Sequence, residues 1–233
     1  MEHDQDFGMT AAAPKVFTFY QSNIPAAVLK GQKAVFDHLG IELVQMQDDR
    51  TGHGEWIESI LAPKGDDIVV IADIDAFPLN RAAFDRAVEQ AAAGALVGLA
   101  QVANHKDPGR IYAGPMFMAV RRSLYHDLGA PPMTRSATGD VAQALTDRAL
   151  AAGRPLSLIA PRFAIQPKWA LADQGVFGIG TFYGEMEFFH LFQSRKRNSI
   201  ALFEAVAQGT ITGRHDFARY IGIMTPKKRF SLF

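Results

Sequence analysis

Asp66-Asp67-Ile68-Val69-Val70-Ile71-Ala72-Asp73-Ile74-Asp75-Ala76-Phe77-Pro78-Leu79-Asn80 is the stretch on which the reading of the whole chain turns. Ile68 to Ala72 is apolar without alternation, which predicts a strand buried on both faces of a parallel sheet. The run stops at Asp73-Ile74-Asp75, where such a strand leaves the sheet, and the carboxyl edge of an open α/β sheet is where ligands bind. While the chain stays extended, the two aspartates point to one side with Cα atoms roughly 6.5 Å apart. Two unit charges at that spacing repel by about 2.5 kcal/mol at an effective dielectric near 20. A hard divalent cation reverses that sign and can bridge to phosphate oxygens. Helix capping is the competing reading: Asp75 or Asn80 suits an N-cap for a helix over about Arg81–Ala93, with Pro78 near its start.

Outward from this strand the pattern repeats. Lys15–Tyr20 reads as a first strand, Ala26–Leu39 as a helix with Val28, Val35, Phe36 and Leu39 on one face, and Ile41–Met46 as a second strand. Asp48–Gly54 is a polar loop and Glu55–Leu61 a short helix. Ala95–Ala100 and Gly114–Val120 follow as strands, then a short helix over Ser123–Leu128 and a Pro-containing loop over Ala130–Thr138. Asp140–Ala152 reads as a helix, Leu156–Ile159 as a strand, Thr181–Phe192 as extended and Ser199–Ala207 as a last helix. Strand and helix alternate as in a parallel sheet with right-handed crossovers, so the fold expected is α/β, a single domain with a mostly parallel sheet flanked by helices. Residues 1–13 are expected to be disordered, 14–212 to form the domain and 213–233 a tail.

At 233 residues, 48% hydrophobic and 21% charged, the chain builds one sizeable core. Lys plus Arg equals Asp plus Glu at 24 each, which argues against a nucleic-acid partner. The absence of cysteine excludes disulfides, a thiol nucleophile and thiolate zinc sites. The acidic start Met1–Asp6 is not expected to act as a signal peptide, and the apolar patch Ala91–Val102 is too short to span a bilayer. A cytoplasmic location is expected. The end Pro226-Lys227-Lys228-Arg229-Phe230-Ser231-Leu232-Phe233 suits a weak peripheral membrane contact or a frayed tail.

At the end of the first strand, Phe19, Tyr20, Gln21 and Ser22 fall on the same sheet edge as Asp73, where an aromatic ring stacks on a base and polar atoms read its edge. Core packing of Phe17 and Phe19 is the plain alternative. Trp56 suits either sugar stacking or helix packing. The glycines in Asp48–Gly54 and Gly175–Gly180 suit mobile lids.

With no phosphate-binding glycine loop after the first strand, a buried third strand ending in Asp73-Ile74-Asp75 and a histidine far downstream, the chain resembles nucleotide-sugar-dependent glycosyltransferases of the GT-A fold over about Lys15–Ala207. The resemblance implies that Asp73 and Asp75 (the DXD pair) hold Mn2+ or Mg2+ against the diphosphate of a nucleotide-sugar donor, a UDP-sugar being favoured. In Glu185-Met186-Glu187-Phe188-Phe189-His190-Leu191-Phe192-Gln193-Ser194-Arg195-Lys196, His190 and Lys196 have the spacing of the His-x-x-Gly-x-x-Lys motif of retaining families, with Gln193 in place of the glycine. It implies His190 as the third metal ligand and Arg195 or Lys196 on the diphosphate, and an imidazole suits manganese better than magnesium. Thr138-Gly139-Asp140 matches the place of the acidic base of inverting families, which implies Asp140 as catalytic base toward a carbohydrate or lipid-linked acceptor. Asp140 is also a good N-cap, and the two motifs pull toward opposite stereochemistry. Asn104, His105, Gly114 and Pro115 fall on loops that shape the donor-sugar and acceptor pocket in that fold, and Gly114-Pro115 suggests a tight backbone approach.

Three rivals remain. Haloacid-dehalogenase-type phosphatases also end a strand in Asp-x-Asp, but near the N-terminus and without Phe77-Pro78. Sugar nucleotidyltransferases want a glycine-rich loop after the first strand, and Gln21-Ser22-Asn23-Ile24-Pro25 is not one. A non-catalytic nucleotide-sugar or carbohydrate-binding module would keep the same ligands without turnover.

Overall fold

The computed structural model describes residues 14–225; the expectations for residues 1–13 and 226–233 lie outside the described residues. Six strands form the central sheet: β1 (Val16–Tyr20), β2 (Leu43–Gln47), β3 (Ile68–Ala72), β5 (Leu96–Ala103), β6 (Asp107–Arg121) and β7 (Leu156–Ile159), in the order β2-β1-β3-β6-β5-β7. β1 runs parallel to β2 and β3, and β5 to β7, while β6 is antiparallel to both its neighbours. Five strands therefore point one way and β6 the other. The fold is mixed α/β with a mostly parallel sheet flanked by helices.

Alternate residues of β3 feed two separate cores, which explains the unbroken apolar run. Val70 and Ala72 join a cluster with Val28, Val35 and Phe36 of α1 (Ala26–His38), Phe84 of α3 (Arg81–Ala92) and Phe203 of α6 (Arg197–Thr212). Val69 and Ile71 face Trp56, Ile57 and Leu61 of α2 (His53–Leu61) and Leu145 and Ala149 of α5 (Gln143–Ala151). A short α4 (Arg122–Asp127) adds Leu124 and Tyr125 on that second side. Trp56 is buried, so it packs the core instead of presenting a face to a sugar.

A second, antiparallel sheet has the order β4-β10-β9-β8, from β4 (Ala76–Pro78), β8 (Pro161–Ala170), β9 (Val176–Tyr183) and β10 (Phe188–Leu191). β8 was hidden in the sequence by Pro161 and Pro167, which break the strand pattern. An edge position with a register shift at Pro167 tolerates both. β9 takes in most of Gly175–Gly180, so that segment is a strand and not a lid. Phe77, Phe182, Phe188 and Phe189 bury this sheet against α6.

Several boundaries move for local reasons. The helix expected from Asp140 starts at Gln143, because Ala142 at its N-cap adopts a left-handed φ of 67°. Asn80, not Asp75, caps α3, its side chain accepting from the Ala83 amide. Gln101–Ala103 and Ile111–Gly114 lie within strands, and only the turn between β5 and β6 is free of the sheet. The expected tail contains α7 (Phe217–Met224), anchored by buried Tyr220. Among the described residues no helix is long and apolar enough to cross a membrane.

Candidate metal and donor-binding cleft

Asp73 and Asp75 leave β3 in a turn pinned from behind. The Asp73 amide donates to Met116 of β6 at 3.0 Å. The Gln32 side chain, fully buried, donates to the Asp73 and Ala76 carbonyls at 2.8 and 3.0 Å. Gln45 in turn donates to Gln32 Oε1 at 3.1 Å. Gln32 lies on the apolar stripe of α1, between Val28 and Val35. A polar side chain in such a stripe was the one available sign that it serves a neighbour.

His190 arrives by backbone pairing. β10 runs antiparallel to β4 with His190 opposite Ala76, and the Leu191 amide donates to the Asp75 carbonyl at 2.9 Å. Nε2 of His190 then lies 3.4 Å from Asp75 Oδ1 and 3.8 Å from Asp73 Oδ2. One ligand atom from each of the three residues falls within 4.8 Å of the others. Two carboxylate oxygens and one imidazole nitrogen form a donor set suited to Mn2+ or Mg2+, with the imidazole favouring the former. Nδ1 of His190 is buried without a partner among the described residues, so Nε2 is the nitrogen offered to the acids.

Sequence reasoning missed His53. Its Nε2 lies 3.4 Å from Asp73 Oδ1, on the opposite carboxylate oxygen from His190. Its ring stacks on Phe19 at 5.8 Å with planes 7° apart, and on Trp56 at 6.0 Å. His53 opens α2, inside the segment read as a polar loop, and no local signal marked it. Burial raises the pKa of Asp73 above the ordinary carboxylate range; His53 and His190 oppose that shift, and the Asp75 and Asp140 carboxylates add to it. Burial likewise holds Tyr112, which lines the cleft, and Tyr183 above the usual phenol range.

The cleft, about 410 Å³, brings Asp73, Asp75, Asp140, His190, Pro115 and Arg195 together. Asp140 is therefore no N-cap: its carboxylate faces the cleft and accepts from Arg135 at 2.7 Å and from the Val141 amide at 2.9 Å. Gly114 sits where the β5–β6 register shifts, and an added Cβ there would meet Gln101 Oε1 and Met116 Cε, each at 2.7 Å. The three-residue bulge after it presents Pro115 and Met116 to Asp73, a use of bulges common beside functional sites. A slot of about 200 Å³ continues past Asp73 to Phe19, Tyr20, Gln21 and Arg195. Arg195 is held there by Asn23, which accepts from it at 2.8 and 3.1 Å.

Other expected residues lie elsewhere. Ser22 is tied back through its amide to Asp49 Oδ1 at 2.7 Å and does not line the slot. Asn104 and His105 line a side cavity that shares Gln101, Arg135 and Asp140 with the cleft. Lys196 opens onto a different cavity altogether, because its neighbour Arg195 takes the cleft side and the chain turns between them.

No protein-family model matches the sequence, and no curated protein matches it. Solved structures similar to it include A197 from STIV, at 12% identity, covering 77% of this chain and 95% of that one, TM-score 0.43. A putative glucose-1-phosphate thymidylyltransferase from Bacillus anthracis matches at 11% identity, 84% and 96% coverage and TM-score 0.43. A 2-C-methyl-D-erythritol 4-phosphate cytidylyltransferase from Thermus thermophilus gives 13%, 84%, 98% and 0.43. Likeness at this level leaves fold and chemistry to be read from the chain itself.

Proposed function

We propose that the chain transfers a sugar from a nucleoside-diphosphate sugar, UDP-linked in preference, to an acceptor hydroxyl. The observation that carries this reading is the meeting of Asp73, Asp75 and His190 at the carboxyl edge of the sheet, beside a slot reaching Tyr20 and Gln21. A divalent cation bound to the three side chains would offset charge on a departing diphosphate. Phe19 is engaged with His53 and Trp56, so Tyr20 is left to stack on the base and Gln21 to read its edge. Arg195 supplies positive charge to the diphosphate from the wall shared by slot and cleft. His53 orients Asp73, and Asp140 takes the acceptor proton as its oxygen bonds to the anomeric carbon and the bond to the diphosphate oxygen breaks. Arg135 holds the Asp140 carboxylate in place through its hydrogen bond.

The reading is tested by incubating the protein with UDP- and GDP-sugars and manganese and measuring nucleoside diphosphate release. Asp75→Asn should lower the rate by at least about 100-fold, since losing a ligand exceeds the usual cost of losing its outer partners. Phosphate release from simple phosphomonoesters would favour the phosphatase. Pyrophosphate release from a nucleoside triphosphate and a sugar phosphate would favour nucleotidyl transfer. Binding without any release would leave a carbohydrate or nucleotide-sugar-binding module.

A further inference from the structure

Beyond Gln193 lies a second cavity, of about 630 Å³, whose lining includes Lys168, Gln193, Lys196, Arg197 and Ser199 and, among the described residues, no carboxylate. Lys168, Lys196 and Arg197 are exposed, and none pairs with an acidic side chain among the described residues. Lys168 sits on β8 with its ammonium 4.7 Å from the Trp169 ring centre. Arg197 begins the 16-residue α6; its N-cap, Lys196, makes no side-chain cap, and the first turn holds no acid. The leading amides and the positive end of the helix dipole therefore add to the three side-chain charges. Ser199, only 1% exposed, lines the cavity, and its hydroxyl forms no hydrogen bond among the described residues.

Three cations without an acidic partner among the described residues, a serine hydroxyl able to donate and an uncapped helix end converge on one concavity and together favour an anion there. Gln193, in a left-handed conformation at φ 61°, lines both this cavity and the acidic cleft. A molecule anchored in the one therefore reaches the other across a single residue. The donor's diphosphate has its own positive group in Arg195, on the far side of Gln193.

We propose that this cavity binds a phosphate or pyrophosphate group carried by the acceptor, so that the acceptor is an anionic molecule and not a neutral sugar. The proposal rests on the transferase reading above and names its second substrate class. Calorimetric titration of the full chain with inorganic pyrophosphate in EDTA tests it, beside a parallel titration with UDP and manganese. The triple variant Lys168→Gln, Lys196→Gln, Arg197→Gln should weaken pyrophosphate binding at least about tenfold, the loss expected for charged hydrogen bonds, and leave UDP affinity unchanged. If the triple variant melts below the wild type, Lys196→Gln alone, at an exposed position, carries the same comparison. Absent pyrophosphate binding, equal binding in both proteins, or parallel loss of UDP binding each overturns the proposal. Asp75→Asn separates the two readings: it should lose UDP–manganese binding and keep pyrophosphate. Retention of UDP by that variant would sink the donor site while leaving the pyrophosphate result standing on its own.

Discussion

Two cavities meet at Gln193 with opposite chemistry. On one side stand Asp73, Asp75 and Asp140 with His53, His190, Arg135 and Arg195; on the other stand Lys168, Lys196 and Arg197 with no acid among the described residues. Arg195 and Lys196 are consecutive yet serve different sides, because the tight turn in which the Lys196 amide donates to the Gln193 carbonyl at 3.0 Å reverses the chain there. The carboxylates are thus confined to one side of a single residue. A net charge of zero over the whole chain conceals two local fields, each suited to a different ligand.

The contrast is broken most severely from behind the acidic side. Gln32→Leu removes two hydrogen bonds, one from the part-buried Asp73 carbonyl and one from the buried Ala76 carbonyl. It should cost on the order of 2 kcal/mol, a fall in Tm of roughly 5 °C for a chain this size, with loss of donor turnover. Pyrophosphate binding on the basic side should survive. A melt in which Gln32→Leu matches the wild type would show that the turn at Asp73 does not depend on that amide.

A smaller effect of opposite sign is expected at Asp73. Burial raises its pKa in the folded chain, so its contribution to stability is full below the ordinary carboxylate value and is lost as pH rises through the folded value. In EDTA near neutral pH, Asp73→Asn should therefore melt higher than the wild type. Added manganese should stabilise only the wild type. A lower melting temperature for the variant in EDTA would mean that His53 and His190 outweigh burial.

The smallest effect lies outside both cavities. Burial lowers the pKa of His215, whose Nδ1 is 3.0 Å from the Tyr220 hydroxyl where α7 meets α6. Its contribution is present above the ordinary histidine pKa, about 6.5, and is lost as pH falls through the folded value. Melting curves from pH 7 to pH 5 should fall less steeply for His215→Asn, with both ligand affinities unmoved. Equal slopes would remove His215 from the acid sensitivity of the fold.

The run Ile68–Ala72 and the pair behind it were legible because a two-sided apolar strand and the repulsion of adjacent carboxylates are local properties. From them followed a mostly parallel sheet, the edge that carries the site, and the placing of Tyr20 and Gln21 beside Asp73. What the order of residues leaves open is set by pairing over long separations. β10 finds β4 across more than a hundred residues and so delivers His190 to within 3.4 Å of Asp75. α2 brings His53 to Asp73, the reversed β6 bulges Pro115 toward it, and the turn after Gln193 assigns Arg195 and Lys196 to opposite cavities. Backbone hydrogen bonding and core packing decide these placements, and neither is expressed in the spacing of the residues they bring together.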